Sequence, residues 1–213
     1  MKDINDLYRL KINDEVLQGI FTWQTVVIDE GIKDYLLSEE KVDEYINLLC
    51  IKPEKVLMDM AEYSWKKVPC NCNLDDWFSH ALHGINLSEA LEKRLVTCFH
   101  RSILYQLMVQ QLQPYAIGAI MEGEVREGEF REDHAYNIVF IPQTKKRFLV
   151  DTAFLDDGQP IVADYSCVEK LGEYEQITII LKDGKKRKYS GYILEYLKDP
   201  EKTKKHFESL IEL

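Results

Sequence analysis

"HAYNIVFIPQTKKRFLVDTAF", His134 to Phe154, sets two runs rich in β-branched and aromatic residues on either side of a polar Pro-Gln-Thr-Lys tract, the pattern of two strands joined by a turn. In an antiparallel hairpin turning between Pro142 and Gln143, His134 falls opposite Asp151. A slightly longer turn that displaces the pairing by two residues keeps both side chains on one sheet face, diagonal at roughly 7–8 Å instead of opposite at about 5 Å. Either spacing lets a carboxylate orient an imidazole. Tyr136, Ile138 and Phe140 share the face of His134, so this face must pack on something apolar, and the segment that begins near Cys98 is the expected partner.

That segment, "RLVTCFHRSILYQL" from Arg94 to Leu107, carries an apolar helical stripe through Phe99, Ile103 and Leu107. Thr97 can cap a helix that opens at Cys98, or the preceding "SEALEKRLV" can run straight through it. Only the first arrangement gives Cys98 the free amides and the dipole of a helix N-terminus, which favour a thiolate and can hold an oxyanion.

Further upstream the chain reads as helices. Val16, Leu17, Ile20, Trp23 and Val27 recur at three- and four-residue spacing behind a possible Asn13 cap. "SEEKVDEYINLL" repeats the pattern after Ser38, and "PEKVLMDMAEYSW" opens with Pro53 in a first-turn position. Downstream, "YAIGAIME" reads as a strand, "ITIILKDGKKRKYS" as a hairpin around Asp183-Gly184, and "DPEKTKKHFESLIEL" as a terminal helix. Helices first and antiparallel strands later predict an α+β fold with a helical portion over residues 1–85 and a core over 86–213.

The 213 residues suit one domain with an appended portion, and a formal net charge of -10 argues against a nucleic-acid partner, which needs a basic face. No apolar run approaches the roughly 18 residues of a membrane span, and "MKDINDLYRL" lacks the apolar core of a signal peptide. A cytoplasmic protein without membrane association is expected. Five cysteines, an odd and irregularly spaced set, are expected to stay reduced.

A cysteine nucleophile needs a base, and the base works better when a third group fixes its tautomer. The order Cys98, His134 in "HAYNIVF" and Asp151 in "FLVDTAF" resembles the transglutaminase-like branch of the papain-like cysteine enzymes, over about Ser88 to Phe154. Tyr136 stands where that family usually has tryptophan. Locally, "CFHRSILYQLMVQQLQPYAIGAI" is similar to the leader peptidases of lasso-peptide biosynthesis, and "RFLVDTAF" resembles a motif of arylamine N-acetyltransferases. The resemblance implies a central helix packed on an antiparallel sheet. It also implies a catalytic triad of Cys98, His134 and Asp151, and an acyl group passed from a peptide or amide through a Cys98 thioester without a cofactor. Water as acceptor makes a peptidase or amidase, and an amine or other acceptor makes a transferase.

Trp77 and Tyr136 are the expected substrate contacts, with Phe78 beside Trp77, although a core role suits the aromatic pair as well. His100, two residues after Cys98, points away from it on a helix and is expected at the surface; Arg101 and Ser102 can shape the site, or Arg101 can simply be solvated. Cys70, Cys72, His80 and His83 have the chemistry of a zinc site but too tight a spacing, and no metal is assigned. A non-catalytic interaction or zinc-binding module on the same fold is the competing reading. Cys50 is read as core, and Cys167 carries no signal.

Overall fold

The computed structural model describes residues 9–18, 24–68, 85–165 and 174–194. The chain divides into two compact units. The larger comprises Tyr35–Pro69 and Thr97–Leu194, and the described part of the smaller is 9–18, 24–34 and 85–96. A boundary at 85/86 therefore does not follow the packing, because the helices between 39 and 67 belong with the sheet.

In the smaller unit the expected first helix is replaced by strands. β1 (Glu15–Gln18) pairs antiparallel with β2 (Gln24–Val27), and β2 pairs parallel with the two-residue β3 (Ile85–Asn86). Asn13 is no helix cap: it takes a left-handed φ of 70° in a turn and donates its N–H to the Ile28 carbonyl. β3 leads into a short helix, α3 (Leu87–Glu92), where Asp29 accepts from the Ser88 amide and the Ser88 hydroxyl.

The larger unit starts with the two helices that the sequence marks. α1 (Glu39–Leu49) is capped by Ser38, whose hydroxyl accepts from the Lys41 amide, and α2 (Pro53–Lys67) opens on its proline. The third helix, α4 (Cys98–Gln111), is a separate element. Helix α3 stops at Glu92, Arg94 turns left-handed at φ 59°, and Thr97 lies in extended conformation as the cap of α4. Every residue of α4 from Phe99 to Val109 is buried.

Six strands follow in one antiparallel sheet: β4 (Ile117–Glu127), β5 (Phe130–Ile141), β6 (Lys146–Asp156), β7 (Gln159–Asp164), β8 (Tyr174–Ile180) and β9 (Lys186–Ile193), in the order β7-β6-β5-β4-β9-β8. The sheet curls. Ile161 from the β7 edge and Ile177 and Ile179 from the β8 edge meet in one core with Met121, Tyr136, Ile138, Leu149 and Tyr189. Gly123 and Gly191 face each other across β4 and β9. A Cβ at Gly123 would collide with the Ser190 carbonyl, and one at Gly191 would lie 2.7 Å from the Glu122 carbonyl oxygen. Side-chain-free backbone at this pair lets the two strands approach closely where the sheet bends.

Helices α2 and α4 pack on the sheet, α2 against β6 and β7 and α4 against β4, β5 and β6. Asn137 Nδ2 donates to the Ser102 carbonyl at 3.0 Å, Gln106 Nε2 donates to the Gly118 carbonyl at 2.9 Å, and a Cβ at Gly118 would meet Gln106 and Val109. The helix thus covers the face that carries Asn137 and Gly118. The face of His134, Tyr136 and Ile138 is filled by the sheet's own far half, so the expected partner of that face was the wrong one. Tyr105 donates to the Leu57 carbonyl at 3.1 Å, and Gln111 exchanges two hydrogen bonds of 3.0 Å with the Leu37 backbone, fixing α4 against the α1–α2 segment. Among the described residues no helix is long and apolar enough to cross a membrane.

Candidate active site

Strands β5 and β6 pair from Ile141↔Lys146 to Asn137↔Val150, a register displaced by two residues from the tight-turn case, and the ladder ends there. Beyond that point the strands are joined through side chains. His134 Nε2 meets Asp151 Oδ2 at 2.8 Å, with the side chains 1% and 0% exposed. The two residues sit diagonally on one face, as their parity requires.

The parting of the strands frees backbone groups that other residues satisfy. Asp151 Oδ1 accepts from the amides of Ala153 at 2.9 Å and Phe154 at 3.0 Å, where the β6–β7 register shifts between Asp151 and Leu155. Arg101, buried in the first turn of α4, donates through Nη1 to the Thr152 carbonyl at 3.2 Å and through Nη2 to the Val68 carbonyl at 2.6 Å. It pins the start of the helix to the strand segment that follows Asp151, so the reading of Arg101 as a solvated residue is corrected.

Cys98, the first residue of α4, is partly exposed and hydrogen-bonded to the His134 ring. Because Nε2 is engaged by Asp151, Nδ1 is the ring atom left for the thiol. Burial alone would lower the affinity of His134 for its proton. The Asp151 charge and hydrogen bond outweigh it, Cys98 adds to them, and the imidazole is pushed up to about 10. Burial likewise opposes the Asp151 charge, but His134 and the two backbone amides hold the carboxyl below its ordinary value. At neutral pH the pair is an imidazolium and a carboxylate.

The ring of His134 lies against Phe154, with centroids 4.6 Å apart and edge-on, and near Tyr136 at 6.2 Å. Tyr136 is 0% exposed and part of the core, so it walls the histidine and offers no surface to a substrate. His100 is also 0% exposed, contrary to the surface reading. Its Nδ1 accepts from the Thr97 amide at 3.2 Å in a capping box, and burial lowers it to about 4, so it is neutral. It shapes the helix start that presents Cys98. Cys50 is exposed at the end of α1, not in the core.

A residue that the sequence reading missed completes the surroundings of Asp151. Tyr189 of β9, fully buried, donates its hydroxyl to Asp151 Oδ2 at 2.9 Å. Its only signal in sequence is its place in the alternating strand "KRKYSGYI". Trp77, Phe78, Cys70, Cys72, His80, His83 and Cys167, and the helix expected from Asp199, lie outside the described residues. Among the described residues, no group of three or more His, Cys, Asp or Glu side chains is placed to hold a metal ion.

Comparison of the chain with protein-family models, with curated proteins and with solved structures finds no match.

Proposed function

We propose that the chain is a cysteine enzyme with a transglutaminase-like core, cleaving or transferring an acyl group at a peptide or amide bond. One observation carries the reading: a helix-initial cysteine, a strand histidine and a strand carboxylate, far apart in sequence, converge, with His134 hydrogen-bonded to Asp151 and Cys98 near enough to favour the charged ring.

In this mechanism the proton of Cys98 resides on His134, and the sulfur attacks the substrate carbonyl carbon. The amide of Cys98, at the start of α4, and a second donor receive the oxyanion of the tetrahedral intermediate. The imidazolium gives its proton to the leaving amine as the C–N bond breaks, leaving a thioester on Cys98. Water, deprotonated by the now neutral His134, attacks the thioester and releases the acid, with the proton returning to the imidazole–thiol pair. An amine in place of water gives acyl transfer. Asp151 stays ionised throughout and stabilises the imidazolium.

The reading is tested by alkylation with a neutral thiol-reactive electrophile. Cys98 is expected to react much faster than exposed Cys50, and His134→Ala to abolish that preference. Equal rates at the two cysteines in the native protein would overturn the enzyme reading. The mass of the acyl-enzyme, with and without added amines, separates hydrolysis from transfer.

A further inference from the structure

The Asp151 carboxylate is unusually well occupied. Oδ1 takes two backbone amides, which fix its position without any help from β9. Oδ2 is shared between His134 Nε2 at 2.8 Å and the Tyr189 hydroxyl at 2.9 Å. Tyr189 is in turn held in place from two sides. Its ring packs edge-on against Tyr136, with centroids 5.1 Å apart, and the positive charge of Arg187, two residues earlier on the same strand, acts on its hydroxyl. Arg187 is itself anchored, donating Nε at 2.9 Å and Nη2 at 2.6 Å to Glu127 Oε2 on β4, with its guanidinium 5.7 Å from the Phe154 ring.

We propose that Tyr189 is a positioning residue that acts through Asp151: by taking a share of the Oδ2 charge, it limits how tightly His134 holds its proton. The inference rests on the triad reading and deepens it. A hydrogen bond to a carboxylate draws charge toward the donor, so an oxygen that serves two donors attracts each less than it would attract one alone. Without Tyr189, the whole of the Oδ2 charge faces His134. The catalytic sequence then suffers at one identifiable step, because an imidazolium that clings to its proton is a poorer acid toward the leaving amine.

Among the described residues, Phe154 and Tyr136 wall the His134 ring, and the polar groups that bear on it come from three elements. Cys98 reaches it from α4, Asp151 from β6 and Tyr189 from β9, while its neighbour across β4 is Gly123, which has no side chain. Tyr189 remains a donor at every working pH, since burial, and after it the Asp151 charge, hold the phenol well above its ordinary range.

The test is the titration of the His134 ring, followed by NMR in the resting full-length protein. Tyr189→Phe keeps the ring and its packing and deletes the donor. The His134 titration is expected to move up by roughly 0.5–1 pH unit, a three- to tenfold gain in proton affinity. Arg187→Gln, which keeps the phenol but removes the cation that polarises it, is expected to move it in the same direction by less, and serves if the Phe variant does not fold. A merely structural tyrosine leaves the titration where it is, or lowers it as water enters. An unchanged or lowered His134 titration in a folded variant would therefore overturn the proposal. The readout needs no turnover: equal alkylation of Cys98 and Cys50 would remove the enzyme reading and leave a raised His134 titration standing.

Discussion

Asp151→Asn is the substitution that separates a charge-dependent triad from a merely close-packed one. Asparagine fits the same space, and its Oδ1 can keep the amides of Ala153 and Phe154. Its Nδ2 then faces His134 Nε2, which must accept instead of donate. The ring proton moves to Nδ1, on the side of Cys98, and the tautomer is wrong for a base. The energetic side follows from the same geometry. His134 is held at about 10, and with the carboxylate charge removed burial works to bring it below its ordinary 6.5. A change of about three and a half pH units at roughly 1.4 kcal/mol each is about 5 kcal/mol. It is an upper bound, because the Cys98 contact still favours the imidazolium. The side chains are 1% and 0% exposed, so solvent screening removes little of it. The assay is the rate of Cys98 alkylation at pH 7, with Cys50 as the internal reference and thermal unfolding as a check on the fold. A fall of at least about hundredfold is expected. A folded Asn variant that reacts within threefold of the native rate would refute the charge argument.

Stability should follow pH through the same pair. The folded value of His134 lies above its unfolded value, so its contribution is complete below about 6.5 and is lost as pH rises through about 10. The folded value of Asp151 lies below 3.8, so its contribution is present above that and is lost on acidification. Melting temperature should decline from pH 6 to pH 10 more steeply in the native protein than in His134→Gln, and parallel curves would count against the assignment. Arg101→Met keeps the apolar stem but leaves the Val68 and Thr152 carbonyls without that donor; about 2–4 kcal/mol should be lost in urea denaturation. Gly123→Ala, whose new methyl meets backbone, should cost about 3 kcal/mol or more, whereas Gly128→Ala, at φ 61° in open space, should cost about 1 kcal/mol. Comparable losses at the two glycines would deny the close β4–β9 approach.

The parts of the fold that were legible in the sequence are those set by local chemistry. Ser38 and Pro53 mark helix starts, and the Asp183-Gly184 hairpin is fixed by its turn, whereas the sequence left two readings at Thr97, of which the capped helix start is the one observed. The His134–Asp151 pairing was legible because parity along two strands survives a displacement of the register by two. The failures have physical causes too. The run from Val16 to Val27 satisfies helical spacing, yet its described ends, Glu15–Gln18 and Gln24–Val27, pair as two short strands, with Ile20 and Trp23 outside the described residues, and residues of both β1 and β2 are buried. His100 was assigned to the surface on the assumption that α4 has a solvent face, and a helix buried from Phe99 to Val109 has none. Tyr189 was out of reach because its meeting with Asp151 depends on the curl of the whole sheet, which no local pattern encodes.

The saturation of Asp151 gives the triad a direction. Its four acceptor contacts are used, its histidine is enclosed by aromatic rings, and the phenol on its far side keeps its proton. Among the described residues of this line, Cys98 is the partly exposed one, and protons exchange with solvent most readily at its end. Exchange of the His134 proton with water then takes place beside the sulfur. A molecule seated on Cys98 narrows that approach, and slower hydrogen exchange at the His134 ring becomes a measure of whether that end is occupied.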